Sequence, residues 1–284
     1  MTTLGRTSPS RTTLRRTLFA SNKPCSLGCV YCFAKFRNYS PQHPLPKFSD
    51  ERVRWNHIAY PTCDSEFFSD PSAVSGLENL VAATEDPIFV SISVKLPISS
   101  KQARFLRELN ERLDREKRGF IKCSVSLSVK FQLRRYEPRT PSYARRLAAL
   151  KILSHEGIPT SVNLKPILPS VSEAEYGEIV TDTAQYVKAY LIGGLYIDST
   201  TAFGQSIKNQ FSSFVTTRRV EWLPDRPDWE YCENPDQIWS VRQSVTAAER
   251  EAFDTDLDVM EFLRSDVSRS PDIESAERPV LLFA

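Results

Sequence analysis

The chain has no long apolar run. None of its 284 residues belongs to a stretch that approaches the roughly 18 apolar residues needed to span a membrane, and the longest candidate, YLIGGLYI, has the length of a buried strand. The N-terminus also lacks the apolar core of a secretory signal, although it is rich in Ser, Thr and Arg like organellar transit peptides. We interpret residues 1–12 as a flexible basic tail and expect no membrane association.

A large excess of one charge is absent as well. The formal net charge is +2, which predicts no strong global attraction to nucleic acid. The signs are unevenly spread, with ten Lys and Arg against two Asp and Glu in residues 1–54, and six against sixteen in residues 220–284. The basic part could meet a phosphate-bearing ligand that the acidic part covers; the alternative is two solvated faces.

Cysteine is sparse, with six residues, and their distribution argues against a disulfide framework. Cys63, Cys123 and Cys232 are far apart, in a chain too long to depend on such cross-links. A reducing compartment fits this pattern, and we expect a cytoplasmic protein. The other three cysteines lie together in the segment CSLGCVYC, with the spacing C-x3-C-x2-C.

Strand-like and helix-like segments alternate along the chain. The predicted strands cover residues 13–21, 54–60, 88–96, 120–129, 160–168 and 189–197. Amphipathic helices separate most of them, which predicts parallel pairing through helical crossovers. Six such units fit an α/β fold built as a partial (β/α)6 parallel barrel at least as well as a doubly wound sheet. Residues 13–200 would form the barrel, and residues 201–284 an acidic, irregular and partly helical C-terminal extension.

Capping residues predict where several helices begin. Asp70 precedes Pro71, Thr140 precedes Pro141, and Ser172 forms a capping box with Glu175. A last helix is predicted from residue 247 to about residue 263 by its composition. The segment between residues 198 and 243 is expected to be irregular.

The cysteine cluster indicates a metal centre. Thiolates bind soft or borderline metals, but a zinc site is usually built from two C-x2-C pairs, and no second pair or nearby histidine is present. Three thiolates on a [4Fe-4S] cluster would leave one iron open for a substrate or cofactor. In parallel α/β folds, ligands bind at the carboxyl ends of the strands. The cysteine segment follows the first predicted strand and would therefore lie at that end. A zinc site completed by Cys63 stays open as an alternative.

The motif resembles the signature of radical S-adenosylmethionine (SAM) enzymes. Besides the spacing C-x3-C-x2-C, an aromatic residue, Tyr31, precedes the last cysteine. The resemblance implies a [4Fe-4S] cluster on Cys25, Cys29 and Cys32, whose open iron binds SAM, with Tyr31 near the adenine. It also implies a 5′-deoxyadenosyl radical that abstracts a substrate hydrogen atom, and an electron donor such as a flavodoxin or ferredoxin.

A narrower resemblance covers roughly residues 20–170. The strings YPTCDSEFFSDPSAVSGLENL, VSISVKL, SVSLSVKFQLRRYEPRTPSYARRLAAL and EGIPTSVNLKPILP are similar to the spore photoproduct lyase and DNA-repair-photolyase-like branch. By this resemblance Cys63 would return a hydrogen atom to the product radical. The residues that would hold SAM are Ser65, Glu66, Lys95, Ser126 and Arg146. Each also has an ordinary structural reading as a capping, strand-face or surface residue.

Two departures from the branch leave the substrate open. Phe33 stands where the lyase has a second tyrosine, and no Gly-Gly precedes Glu66. Repair of a DNA or nucleotide lesion is the first hypothesis, ahead of modification of a peptide, an RNA base or a small metabolite. A non-catalytic iron–sulfur protein that binds nucleic acid or senses redox state is the alternative. Asn163 and Lys165 are weaker SAM or substrate candidates.

Overall fold

The computed structural model describes residues 15–21, 25–32, 48, 57–83, 87–213, 215–220 and 228–267. The tail predicted at residues 1–12 lies outside them. The described strands are β1 (Arg15–Leu18), β2 (His57–Tyr60), β3 (Ile88–Val94), β4 (Gly119–Ser126), β5 (Thr160–Asn163), β6 (Ala189–Leu191), β7 (Leu195–Asp198), β8 (Thr216–Arg219), β9 (Trp229–Glu233) and β10 (Glu251–Phe253). The described helices are α1 (Pro71–Ala83), α2 (Ser100–Arg115), α3 (Leu133–Tyr136), α4 (Tyr143–His155), α5 (Glu173–Thr183), α6 (Ala202–Phe211), α7 (Pro235–Ala247) and α8 (Asp256–Val267).

Seven parallel strands form the main sheet. Their order is β1-β2-β3-β4-β5-β6-β10, so strands that follow one another along the chain from β1 to β6 are neighbours. Strands β1 and β10 form its two edges, so the barrel is open. The α/β fold with a partial parallel barrel is confirmed, and β10 adds a strand that the sequence did not predict.

One face of the sheet carries the crossover helices. Leu77 of α1, Leu106 of α2, Leu150 of α4 and Ile179 of α5 are buried in the same core as Val90 of β3. A doubly wound sheet would have helices on both faces, whereas a barrel has its crossover helices outside. The arrangement is therefore barrel-like. Within the described residues, no helix is both long and apolar enough to cross a membrane.

Helix α8 covers the inner face of the sheet. Phe89 and Phe120 of that face pack against Met260 of α8. Further along the strands, the buried Lys122 ammonium forms an ion pair with Asp256, the first residue of α8. The Ser91 hydroxyl donates to the other Asp256 carboxylate oxygen at 2.7 Å. Both α8 and β10 come from the stretch that the sequence assigned to the extension, yet β10 extends the main sheet beside β6 and α8 packs on its inner face.

We expect Asp256→Asn to destabilise the protein by about 3–5 kcal/mol, because Lys122 would keep its charge without a buried partner. Burial opposes ionisation of Asp256, but Lys122 and the bonds to its carboxylate outweigh burial and lower the pKa. A lowered pKa stabilises the fold above the unfolded value of about 3.9, and that contribution is lost as the pH falls through the folded pKa. Urea unfolding at neutral and acidic pH measures both effects.

Asp254→Asn is the matched control for this prediction. Asp254 is 73% exposed and pairs with Arg242, so its loss should cost less than about 1 kcal/mol. Equal costs for the two substitutions would contradict the role of Lys122 and Asp256 in fastening α8.

The chain beyond β6 differs from its prediction. The predicted strand at 189–197 is divided between β6 and β7, and β7 belongs to a separate antiparallel sheet of order β7-β9-β8. Gly194 permits this close turn, because a Cβ there would lie 2.2 Å from the Cys232 carbonyl oxygen. The expected irregular segment contains α6, β8, β9 and most of α7, so that expectation was wrong.

The predicted helix from residue 247 to about 263 is confirmed only in its second half, as α8, and was wrong for residues 248–255. Helix α7 ends at Ala247, Glu249 takes a positive φ of 57°, and β10 pairs with β6 before α8 begins. Strand β10 has three residues, too few to show the alternating pattern of a strand. Its pairing with β6 outweighs the local preference of these residues for helix.

Two predicted caps differ in detail. Ser142, not Thr140, is the N-cap of α4, while the Thr140 hydroxyl donates to the Glu137 carbonyl at 2.9 Å. The Ser172 hydroxyl accepts from the Glu175 N–H as predicted, at 3.2 Å. The Glu175 carboxylate does not close the capping box, since it accepts from the backbone of residues 130 and 131.

Candidate functional site

The cysteine loop, residues 25–32, follows β1 at the carboxyl edge of the main sheet. Cys29 is buried, and Cys25 and Cys32 are partly buried. The Cys32 N–H donates to the Cys29 carbonyl at 3.2 Å, which closes a turn between the last two cysteines. The Val30 N–H donates to the Tyr136 carbonyl at 2.9 Å, so the loop is fastened to the segment after β4.

A glycine permits the turn between the first two cysteines. Gly28 has a φ of 65°, in the left-handed region that side chains with a Cβ rarely adopt. A Cβ at this position would also lie 3.1 Å from the guanidinium of Arg139. The positive φ therefore favours glycine at this position, while the Arg139 contact shows how closely that side chain lies against the loop.

The loop after β2 lies beside the start of the cysteine loop. The Cys63 N–H donates to the Phe19 carbonyl at 3.1 Å, and the Ser21 N–H donates to the Asp64 carboxylate at 2.8 Å. The Ser65 hydroxyl is buried and has no hydrogen-bond partner among the described residues. A buried hydroxyl without a hydrogen-bond partner is available to bond a ligand that binds at this position.

Glu66 joins the loop after β2 to the end of β3. Its carboxylate accepts from the Lys95 N–H at 2.9 and 3.1 Å and from the Leu96 N–H at 3.1 Å. Burial raises the pKa of Glu66 even though these bonds favour the charged form. The carboxylate thus orders the backbone that carries Lys95.

Four side chains form what we call the Glu137 network: Tyr31, Lys95, Glu137 and Arg146. The Lys95 ammonium donates to the Tyr31 hydroxyl at 2.7 Å and to the Glu137 carboxylate at 2.6 Å, and it lies 3.5 Å from the Cys29 Sγ. The Tyr31 hydroxyl donates to the same carboxylate. Residues distant in sequence therefore meet directly behind the cysteine loop.

Arg146 lies on the far side of Glu137 from Lys95. Its guanidinium is fully buried, 2.8 Å from the second Glu137 oxygen, and it donates to the carbonyls of Ser126 and Val129 at 2.9 and 3.2 Å. It therefore holds the carboxyl end of β4 in place. The Ser126 hydroxyl lies 3.4 Å from that of Ser93, on the inner face.

Burial raises the pKa of the Cys25 and Cys29 thiols. At Cys29 the Lys95 ammonium opposes that rise. Metal coordination requires thiolates, so the positive charge of Lys95 favours the ligand form of Cys29, the most buried of the three loop cysteines.

The pKa of Glu137 is shifted in the other direction. Burial opposes its ionisation, but the charges of Lys95 and Arg146 outweigh burial and lower the pKa. A buried carboxylate between two buried cations stays charged, and it keeps both cations in fixed positions.

The donor set consists of three thiols on one short loop, a ligand type and arrangement that iron–sulfur clusters use. No group of three or more His, Cys, Asp or Glu side chains in the described ranges is arranged to hold one metal ion. A closed zinc site made by the loop and Cys63 thus has no support in this geometry. A cubane places its thiolates at separate corners, farther apart than the ligands of one ion, and it uses thiolates from a single short loop.

Most of the predicted site residues converge at the carboxyl edge of β1 to β4. They are Cys25, Cys29, Tyr31, Cys32, Cys63, Ser65, Glu66, Lys95 and Ser126. Arg146 lies behind them. Lys165 follows β5, with its ammonium 5.8 and 5.7 Å from the ring centroids of Tyr196 and Tyr231.

Sequence reasoning assigned no role to Glu137. The signal was present in the segment FQLRRYEPRTPSYARR, where Glu137 is the sole acid among five arginines. An acid in such surroundings indicates a counter-ion, and the buried ion pairs of Glu137 with Arg146 and with Lys95 confirm it.

The fold is similar to that of solved radical SAM enzymes. A spore photoproduct lyase variant matches with a TM-score of 0.56 and 14% identity, over 88% of this chain and 79% of the other. Another variant, with bound AdoMet and dinucleoside spore photoproduct, matches with a TM-score of 0.55 and 14% identity, over 84% and 75%. The radical SAM methyltransferase TsrM from Kitasatospora setae, with cobalamin and a [4Fe-4S] cluster bound, matches with 0.51 and 14%, over 85% and 53%.

No protein-family model and no curated protein sequence matches the chain significantly. At this level of identity, the structural similarity establishes a shared fold. The predicted relationship to radical SAM enzymes is confirmed at that level.

Proposed function

We propose that this protein is a radical SAM enzyme. The observation that carries the proposal is the position of the C-x3-C-x2-C loop, at the carboxyl edge of a barrel-like parallel sheet whose fold is shared with such enzymes. Ligand sites of parallel α/β sheets lie at this edge.

Cys25, Cys29 and Cys32 are the ligands that we assign to a [4Fe-4S] cluster. With SAM on its fourth iron, such a cluster supplies one-electron cleavage of SAM to a 5′-deoxyadenosyl radical, which abstracts a substrate hydrogen atom. Lys95 contributes a positive charge 3.5 Å from the Cys29 sulfur, where it balances part of the negative charge of the thiolates.

The SAM contacts divide into two groups. Ser65 and Ser126 present polar side-chain atoms at the carboxyl edge, and we assign them to SAM. We assign Lys95 to SAM as well, because its ammonium, which donates to Tyr31 and Glu137, lies 3.5 Å from the Cys29 sulfur beside the proposed cluster. Glu66 and Arg146 were predicted to contact SAM, but their polar atoms bind the ends of β3 and β4. For these two we propose that they support the site.

A nucleotide lesion is the substrate class we propose first. A structural neighbour was solved with dinucleoside spore photoproduct. In this chain, Lys165 lies beside the rings of Tyr196 and Tyr231 beyond the ends of β5 and β6, and its ammonium suits the phosphate of a nucleotide. Peptides, RNA bases and small metabolites are the competing classes.

We also propose a cytoplasmic location. All six cysteines lie in described segments and none forms a disulfide, as expected in a reducing compartment.

Anaerobic reconstitution tests the enzyme proposal. Protein supplied with iron, sulfide, SAM and dithionite should form 5′-deoxyadenosine, detected by liquid chromatography, and should show a cubane signal by EPR. Dinucleotide lesions, RNA and peptides can then be compared as substrates that accelerate this reaction. Binding of a single zinc ion, or no 5′-deoxyadenosine with a loaded cluster, would overturn the proposal.

We predict that Cys63→Ala will form 5′-deoxyadenosine but fail to complete the substrate reaction. A thiol hydrogen exchanges with solvent, so the wild-type product made in D2O should carry deuterium, and any residual product of the variant should carry none. Cys63→Ser is the matched control, because it keeps the size of the side chain while its O–H bond is too strong to donate a hydrogen atom. Equal labelling in all three proteins would exclude Cys63 as the donor.

A further inference from the structure

Four arginines form an exposed basic surface, which we call the arginine face: Arg134, Arg135, Arg139 and Arg145. All four are exposed. The sole acid between residues 131 and 145 is Glu137, which is buried between Lys95 and Arg146 and does not offset them. The surface of this segment is therefore strongly positive.

The arginine face borders the cysteine loop. The Tyr136 carbonyl accepts the Val30 N–H at 2.9 Å, and the guanidinium of Arg139 lies 3.1 Å from the position of a Cβ on Gly28. The face thus reaches the outer side of the loop that carries the three cysteines.

The four arginines do not stabilise the fold through ion pairs. None of the four arginines forms a salt bridge within the described residues; Arg134 donates to the Pro138 carbonyl, and Arg135 lies over the Tyr136 ring. Arg145 is in the first turn of α4, where a positive charge opposes the helix dipole and no acid is present. Phe131, three residues before Arg134, is 63% exposed and offers an apolar side chain in the same segment.

We propose that the arginine face is the docking surface for a small acidic electron-transfer protein. The inference rests on the proposed function, which requires an external reductant. One electron leaves the reduced flavin or iron–sulfur group of the partner, which is oxidised by one electron, and reduces the cluster held by the cysteine loop. Opposite charge on the two surfaces speeds the encounter and orients the partner against the loop.

Position favours a protein donor over a nucleic acid at this surface. A nucleic-acid substrate must place its reacting atom inside the barrel, whereas an electron donor needs only proximity to the cysteine loop. Transient electron-transfer interfaces are small, and a few charges around one apolar residue are enough to form them.

The test compares two ways of delivering electrons to the reconstituted protein. The triple variant Arg134→Glu, Arg135→Glu and Arg139→Glu reverses the face. Reduced flavodoxin should then support 5′-deoxyadenosine formation about tenfold or more slowly than in the wild type. Dithionite, which needs no docking, should support equal rates in both proteins. Calorimetry with oxidised flavodoxin should show lost binding, and wild-type binding should weaken with salt.

Two further variants separate docking from folding. Because Arg139 packs against the loop, the double variant Arg134→Gln and Arg135→Gln leaves that contact intact and should still slow the flavodoxin reaction. Lys101→Glu with Arg104→Glu and Arg115→Glu places the same charge change as the triple variant on exposed positions of α2 and should have no effect.

Unchanged flavodoxin binding and rate in the triple variant would overturn the proposal. Loss of affinity for a single-stranded oligonucleotide, with unchanged flavodoxin binding, would also overturn it and assign the face to nucleic acid. If the wild type forms no 5′-deoxyadenosine with dithionite, the proposed function fails, and the calorimetry still decides whether the donor protein binds at this face.

Discussion

Cys29→Ala is expected to abolish cluster assembly. Cys29 is the most buried of the three loop cysteines, and its loss leaves two thiols where a cubane with one open iron needs three. Substitution of a residue that only hydrogen-bonds a metal ligand changes the metal affinity by about 10–100-fold. Removal of a ligand itself should weaken cluster binding by more than that. Iron and sulfide analysis, visible absorption and EPR after reconstitution measure the loss. Formation of 5′-deoxyadenosine should fall to background.

Cys232→Ala is the control for this experiment. Cys232 is a buried cysteine of β9 outside the cysteine loop, so its loss should leave the iron content unchanged. An intact cubane in Cys29→Ala would contradict the ligand assignment. A single zinc ion lost from both the Cys29 and the Cys63 variants would instead support the zinc site that the sequence left open.

Glu137→Gln is expected to lower the free energy of unfolding of the apoprotein by about 3–5 kcal/mol. The amide has nearly the shape of the carboxylate but no charge, so Lys95 and Arg146 would face each other without their shared counter-ion. Urea unfolding measures the change. Glu111→Gln, at a position 58% exposed on α2, should cost about 0.5 kcal/mol or less.

Glu137→Gln should also change the properties of the cluster in the reconstituted protein. Lys95 is positioned by Glu137 beside the Cys29 sulfur, so its displacement should change the EPR spectrum and the midpoint potential of the cluster. Adding Lys95→Met to Glu137→Gln removes one unpaired cation, and the double variant should recover part of the lost stability. Additive costs in this cycle would contradict the coupling of the two residues.

Local patterns accounted for much of the site. The cysteine spacing places three thiols on one loop whatever the surrounding fold, and β-branched runs separated by amphipathic helices indicate a parallel sheet. The predicted strands before residue 189 therefore correspond to β1 to β5. Sequence patterns did not predict the shortest elements. Strand β10 has only three residues, and its position beside β6 depends on contacts between distant residues, which produce no periodic pattern in the local sequence.

The sequence by itself determined the cysteine loop, the α/β class and the set of polar residues at the strand ends, because these depend on spacing and periodicity over a few residues. Only the tertiary structure decided that Glu137 is the counter-ion of both Lys95 and Arg146, that α8 covers the inner face through Asp256 and Lys122, and that Arg139 of the arginine face lies against the cysteine loop. The reason is that burial and charge pairing depend on distances between residues far apart in the chain, which the folded sheet sets.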